Sequence, residues 1–260
     1  MKLGKVIFVS AGPGAADLIT LRGARALQQA DVVLYDALTD PALREFAPQA
    51  IWLDVGKRGF CDSTAQTAIN AALVRQAREH RLVVRLKGGD ASVFGRLEEE
   101  LLALAEAGID SEVVPGVTAA IAAAAQTQRP LTRRGHGRSV SLTTAMTRDG
   151  ELQAHKSADT EVFYMAGRQL GALARKLAEA GWAADTPVLV VSRAGCADAL
   201  SSEHQVSGLA AAAMLHRGRP TVVTVGAGAA PLRAVRKSAL AAEQKPLIDS
   251  HQPRVKTLTD

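Results

Sequence analysis

Short runs of almost continuous apolar residues recur along the chain, and several end in a glycine turn that opens into a helical segment. Residues 5–11 run into Gly12-Pro13-Gly14, residues 82–86 into Lys87-Gly88-Gly89-Asp90, and residues 112–114 into Pro115-Gly116. A strand that is apolar at nearly every position is buried on both faces, as in a sheet covered by helices on both sides. The segments between carry helical signals. Thr20 is placed to cap a helix through about Gln29, ahead of a strand at 31–35. Ser63 and Gln66 have capping-box spacing, and Ile69, Leu73 and Ala77 follow at i, i+4 and i+8 on one face. A helix over 96–107 stops at Gly108, the residue type favoured just past a helix end. An alanine-rich helix covers 117–126.

The second half repeats the style. Strands are expected at 140–144, 161–165, 187–192 and 221–225, and helices at 169–180, 209–215 and 232–242. From Lys245 the chain is polar and aperiodic, so 245–260 reads as a mobile tail. The loop at 127–138 is the expected boundary between two α/β domains, 1–130 and 131–244. Each is expected to hold a mostly parallel sheet sandwiched by helices. A cleft between two such domains is a favoured ligand site.

At 47% hydrophobic and 22% charged, the 260 residues suit an ordinary soluble chain. No apolar run approaches the roughly 20 residues that span a bilayer, so no membrane partner is expected. The basic N-terminus leads into a strand-length apolar run rather than a leader peptide. Cys61 and Cys196 lack metal-ligand spacing, so no metal is expected, and a reducing cytoplasm fits them. Much of the net charge of +5 reads as solvated surface. The exception is one loop, where Arg129, Arg133, Arg134, His136 and Arg138 are interleaved with Pro130, Gly135 and Gly137. Such a shaped cationic loop suits phosphates or carboxylates.

Three glycine motifs carry chemistry. The turn at 11–17 follows the first strand, and Asp36 ends the second, as in a dinucleotide-binding unit. The spacing, however, is Gly-x-Gly-x-x-Asp, without the third small residue. Pro13 also removes an N–H donor that a pyrophosphate would use. In the second motif, Gly88-Gly89-Asp90, an acceptor-only carboxylate suits a ribose hydroxyl or an amine. The third, Gly56-Lys57-Arg58-Gly59, places two adjacent cations in a loop. Each motif taken alone is also consistent with a plain structural turn.

In order, the segments VSAGPGAADLITLRGARALQQADVVLYDAL, DVGKRG, VVRLKGGDASVFGR, EVVPGVTAAIAA, RPLTRRGHGRSV, TEVFYMAG and PVLVVSRA resemble the tetrapyrrole (corrin/porphyrin) methylase family over about residues 3–230. Among its members, VGKR and PLTRRG resemble the branch acting on uroporphyrinogen III. The resemblance implies two α/β domains with S-adenosylmethionine bound between them. It places Pro13, Gly88, Gly89, Asp90, Val93, Thr118, Ala119, Met165 and Ala194 around that cofactor. Asp36 matches the family's proton acceptor and Lys57 its proton donor. The implied reaction is methylation at C2 and then C7, giving precorrin-2 and S-adenosylhomocysteine, in porphyrin, sirohaem or cobalamin biosynthesis. The carboxylate-rich macrocycle gives Arg58, Arg129, Arg133, Arg134 and Arg138 a role as substrate ligands. A stand-alone homodimer is implied, with a small-molecule rather than a nucleic-acid partner. The alternatives are a relative acting on another tetrapyrrole or on RNA, or a catalytically impaired S-adenosylmethionine-binding paralogue.

The chain departs from the family pattern at three places. Ala91-Ser92 stands where the family has Pro-Phe after Gly-Gly-Asp. Arg96-Leu97 precedes the acids where it has Gly-Gly. Arg133 stands where its branch commonly has His. Loss of the proline is expected to free the loop backbone, and loss of the phenylalanine to remove packing area.

Overall fold

The computed structural model describes residues 3–56, 63–146 and 151–232. The described residues up to Ala230 form one compact unit. The expected helix over 232–242 and tail over 245–260, together with Lys57, Arg58 and Cys61, lie outside the described residues, apart from Leu232. Among those residues, no helix is long and apolar enough to cross a membrane.

The first half builds a five-stranded parallel sheet from β1 (Lys5–Ser10), β2 (Val32–Tyr35), β3 (Ile51–Asp54), β4 (Leu82–Lys87) and β5 (Ser111–Val114), in the order β3-β2-β4-β1-β5. Both faces are covered, as the continuous apolar runs require. Val9, Val33, Val84 and Leu86 pack on Ala26 and Leu27 of α1 (Leu21–Gln28) and on Leu43. Val6, Phe8, Val32, Leu34 and Val83 pack on Ile69, Leu73 and Ala77 of α2 (Ser63–Glu79) and on Leu104 of α3 (Leu97–Glu106). Each such side chain removed from water contributes about 1.5–3 kcal/mol. The neighbouring strands β1 and β4 therefore send their helices to opposite faces. That divergence opens a crevice at their C-terminal ends, where ligands bind in open α/β sheets.

The expected helix ends hold. The Thr20 hydroxyl accepts from Gly23 N at 3.1 Å, and Gly108 and Gly181 take positive φ after α3 and α5 (Leu170–Glu179). The Gln66 amide donates to Asn70 Oδ1 at 2.9 Å and to Glu100 Oε1 at 3.4 Å, while the Ser63 side chain of the expected capping box lies outside the described residues.

The second sheet is a correction. Its strands are β6 (Val140–Thr144), β7 (Thr160–Tyr164), β8 (Pro187–Ser192), β9 (Leu200–Gln205) and β10 (Thr221–Gly226), ordered β6-β7-β10-β8-β9. Only β6 and β7 are parallel; β10 runs antiparallel to both β7 and β8, and β9 antiparallel to β8. The seven residues between β8 and β9 are too few for a parallel crossover, which needs about a dozen. Strand β9, LSSEHQ, is an edge strand whose only large apolar residue is Leu200, so its sequence carries no strand period. The expected helix at 209–215 is a 3-10 segment, Val206–Ala211, followed by the short α6 (Ala212–Leu215). One face of the sheet buries Phe163, Val190 and Val223 against Leu170, Leu173 and Leu177 of α5. The other buries Val162, Leu189, Val191 and Val222 against Ala120, Ala122 and Ala123 of α4 (Ala119–Gln126).

A buried polar chain pins the edge of this sheet. His216 Nδ1 lies 2.6 Å from Ser192 Oγ on β8, and its Nε2 lies 2.8 Å from Ser202 Oγ on β9. Burial pushes the His216 imidazole below its ordinary value of 6.5, with the charges of His204 and Arg219 adding to the effect. The unfolded chain therefore binds a proton that the folded chain refuses. The stability contributed by neutral His216 is complete above pH 6.5 and is lost as pH falls from there through the lowered folded value. His216→Gln should flatten that part of the profile, seen as a smaller drop in Tm on acidification below pH 6.5 than in the wild type.

Candidate active site

The crevice is closed at its base by backbone. Gly12, after β1, and Gly89, after β4, exchange hydrogen bonds: Gly12 N donates to Gly89 O at 3.2 Å and Gly89 N to Gly12 O at 2.7 Å. Both residues take the left-handed conformation, φ +79° and +72°, which a side chain resists. The Asp90 carboxylate ties the loop down further, accepting from Ser92 N and from Gly116 N, each at 2.8 Å. Ala91 N donates to Ser10 Oγ at 2.9 Å, a bond that a proline there has no N–H to make. The absent proline therefore does not free the loop.

The second wall comes from the C-terminal sheet. Ala15 N donates to Gly195 O at 2.9 Å, next to buried Ala194 at the end of β8. The Tyr164 hydroxyl lies 2.7 Å from Thr118 Oγ1 and accepts from Ala120 N at 3.2 Å. Its ring meets that of Phe94 at 5.0 Å between centroids. Phe94 thus makes a bridging contact between the loop after β4 and the end of β7, two residues past the missing family phenylalanine. Met165 follows Tyr164, half exposed at 42%. Among the described residues, Phe94, Arg96, Met165 and Arg193 are four of the five non-glycine residues with positive φ. All four stand in the segments that follow the C-terminal ends of β4, β7 and β8. Such strain costs about 1–2 kcal/mol per residue and concentrates at functional sites. One connected set of contacts thus joins the neighbourhoods of Pro13, Gly88, Gly89, Asp90, Val93, Thr118, Ala119, Met165 and Ala194.

Asp36, just past β2, is 30% exposed and accepts from Arg85 Nη2 at 2.6 Å. Arg85 lies in the middle of β4 at 2% exposure, and its Nε donates to Glu100 Oε1 at 3.1 Å. Fully buried Glu100, on α3, also accepts from Lys87 Nζ at 2.6 Å. Burial lowers the Lys87 ammonium's pKa, and the Arg85 charge lowers it further, against the opposing pull of Glu100 and Asp36. Reading of the sequence missed this network. The signal was present in two places. Arg85 and Lys87 interrupt an apolar strand, and Glu100 falls on the α3 stripe marked by Leu97, Leu101 and Leu104.

The arginine loop does not join this group within one chain. Arg129 is buried, donating to Ala229 O and paired with Glu203. Arg133 donates to Ala227 O at 3.2 Å and Ala230 O at 3.1 Å. Arg134 and Arg138 are exposed, on the rim of a cavity of about 600 Å³ shared with His136 and Asp159. Arg138 N bonds Asp159, which precedes β7, whereas Met165 follows that strand. The two ends of β7 are roughly 17 Å apart at about 3.3 Å per residue.

The family model for tetrapyrrole (corrin/porphyrin) methylases matches residues 5–210. The chain belongs to the tetrapyrrole methylase family. It is 47% identical over 195 residues to the uroporphyrinogen-III C-methyltransferase of Pseudomonas aeruginosa, covering 74% of this chain and 80% of that one. It is 44% identical to the siroheme synthase of Edwardsiella ictaluri, but spans only 42% of that longer protein. Among solved structures, the Thermus thermophilus uroporphyrin-III C-methyl transferase complexed with S-adenosylhomocysteine superposes with a TM-score of 0.76 at 34% identity, covering 86% of this chain and 97% of that one. A cobalt precorrin-4 methyltransferase superposes with the same TM-score at 31% identity, covering 87% and 96%. The two α/β domains expected of a tetrapyrrole methylase are thus present, with the second sheet's strand polarity corrected.

The methylase's close contact between domains at the crevice makes a prediction. A Cβ on Gly14 would stand 2.6 Å from Gly195 O and from Cys196 N, backbone atoms that cannot rotate away. Gly14→Ala should therefore open the Ala15–Gly195 bond and lower stability by about 1–3 kcal/mol, measured by urea denaturation.

Proposed function

We propose that this methylase transfers methyl groups from two S-adenosylmethionine molecules to C2 and then C7 of uroporphyrinogen III, giving precorrin-2 and S-adenosylhomocysteine. The observation that carries the reading is the convergence on one crevice of the segments holding the nine expected cofactor positions, with Asp36 at the end of a neighbouring strand. The 47% identical relative named for this activity supports it.

The residues fit the cofactor. At Gly89 nothing lies within 4 Å of the place a Cβ would occupy, so backbone is open to a ligand. Thr118 stands at the head of α4, Ala194 is small and buried, and Met165 projects from a strained turn. When bound, S-adenosylmethionine supplies a sulfonium-activated methyl group. The protein's part is to hold the two reactants in line, which by itself removes much of the barrier. Asp36 takes the proton released as the macrocycle is alkylated, and Lys57 serves as the proton donor. Arg58, Arg134 and Arg138 bind carboxylates of the substrate. The last two stand a strand length from Met165 within one chain, so their part requires the expected homodimer to present a partner's loop. In this reading, Arg129 and Arg133 act through that loop, by anchoring it to the 227–230 carbonyls. The reaction is placed in the cytoplasm, without nucleic acid or membrane.

Purified protein given uroporphyrinogen III and S-adenosylmethionine under anaerobic conditions should form the dimethylated product, followed by mass and absorbance. Asp36→Ala should lower kcat by about 100-fold or more while leaving S-adenosylmethionine affinity, read by calorimetry, within a factor of about two. Methylation absent from a folded protein that still binds S-adenosylmethionine would overturn the substrate assignment, in favour of another acceptor or a non-catalytic paralogue. Gly89→Ala adds a methyl to the open face at a left-handed position. It should weaken cofactor binding by about tenfold, equivalent to about 1.4 kcal/mol, in the same calorimetric measurement.

A further inference from the structure

A buried arginine in the central strand of a parallel sheet needs a reason. Taking ions out of water costs several kcal/mol each, and a buried ion pair is a weak source of stability. Arg85 sits where its flanking residues Val84 and Leu86 are wholly apolar and buried. Its guanidinium spans the core: Nε donates to Glu100, Nη1 to Leu86 O at 3.1 Å and, at 3.4 Å, to Leu34 O, and Nη2 to Asp36. The charges are arranged with one end out. Two cations, Arg85 and Lys87, enclose one fully buried carboxylate, Glu100. The cationic surplus of that trio is directed at Asp36, the only member of the four with appreciable exposure. Glu100 is held by three donors, Arg85, Lys87 and Gln66. The planar fork of Arg85 is thus anchored at its inner edge, and its outer edge bonds Asp36 Oδ1. A lysine in its place has one ammonium and cannot reach both carboxylates in this geometry.

We propose that Arg85 is a positioning residue for Asp36: braced on Glu100, it holds the Asp36 carboxylate in the single orientation from which Asp36 accepts the proton during methyl transfer. The inference rests on the proton-acceptor reading of Asp36 given above. It assigns Arg85 no contact with substrate or cofactor, because its guanidinium is enclosed.

The test is a double-mutant cycle in the full-length protein, with kcat for methylation and the S-adenosylmethionine dissociation constant measured for each variant. Asp36→Asn should lower kcat by about 100-fold. Arg85→Met, similar in length and apolar, leaves Glu100 paired with Lys87 and should lower kcat by about tenfold through misplacement of Asp36. Both variants should bind S-adenosylmethionine as the wild type does. The deciding result is the double variant Arg85→Met/Asp36→Asn, which should be no slower than Asp36→Asn alone, because Arg85 has nothing left to orient. A merely structural Arg85 would instead multiply its penalty onto that of Asp36→Asn, and that result overturns the inference while leaving the reading of Asp36 standing. An Asp36→Asn variant with wild-type kcat overturns that reading and this inference together. Should Arg85→Met fail to fold, Arg85→Lys goes through the same cycle, since it keeps the charge and loses the span. The same non-additivity is expected of it, and full additivity or unchanged kcat overturns the proposal.

Discussion

The two hydrogen bonds between Gly12 and Gly89 hold the end of β1 to the end of β4, and the rest of the site is arranged around them. These strands are neighbours, but their helices leave to opposite faces of the sheet, so the chain diverges above them. Side chains at positions 12 and 89 would resist the left-handed backbone that closes this gap. With glycine at both, the loops close backbone to backbone and present an open floor. Asp90 then secures that floor to Gly116 N and so to the segment leading into α4.

The second sheet builds the opposite wall by different means. Its antiparallel strands bring the end of β8 and the end of β7 to the same rim, because β10 returns between them. Tyr164 is the joint between the halves. Its hydroxyl is bonded at the head of α4, and its ring rests against Phe94 from the first sheet's loop. Strained residues on both sides of the crevice are held by these contacts. Free energy is spent there on geometry rather than on stability. The departures from the family pattern are absorbed locally: Ala91 gains a bond to Ser10, and Leu97 packs against the core beneath α3.

Electrostatics divides the molecule in a similar way. Deep in the first sheet, Arg85, Lys87 and Glu100 form a closed set whose one outlet is Asp36. At the far end of the second sheet, Arg134 and Arg138 remain exposed, while Arg129 and Arg133 are committed to backbone carbonyls. Arginines that looked alike as candidate carboxylate ligands thus differ, among the described residues, in what they are free to do. The four that lie within the described residues fall into two pairs, one buried or engaged and one open.

The sequence by itself determined β1, β2 and β4 of the first sheet, because these strands are buried on both faces and read as nearly continuous apolar runs. It also determined the helix ends at Thr20 and Gly108, because caps and left-handed stops are local chemistry. The glycine motifs were legible for the same reason, and their order along the chain marked the family. Tertiary structure alone decided the polarity of the second sheet. The edge strand β9 carries no apolar period, and pairing direction depends on strands far apart in sequence. It alone decided that buried Glu100 pairs with Arg85 and Lys87, and that Arg138 stands a strand length from Met165. Such facts depend on which surfaces meet in three dimensions, and a long-range ion pair or strand pairing leaves no mark on the residues beside it in the chain.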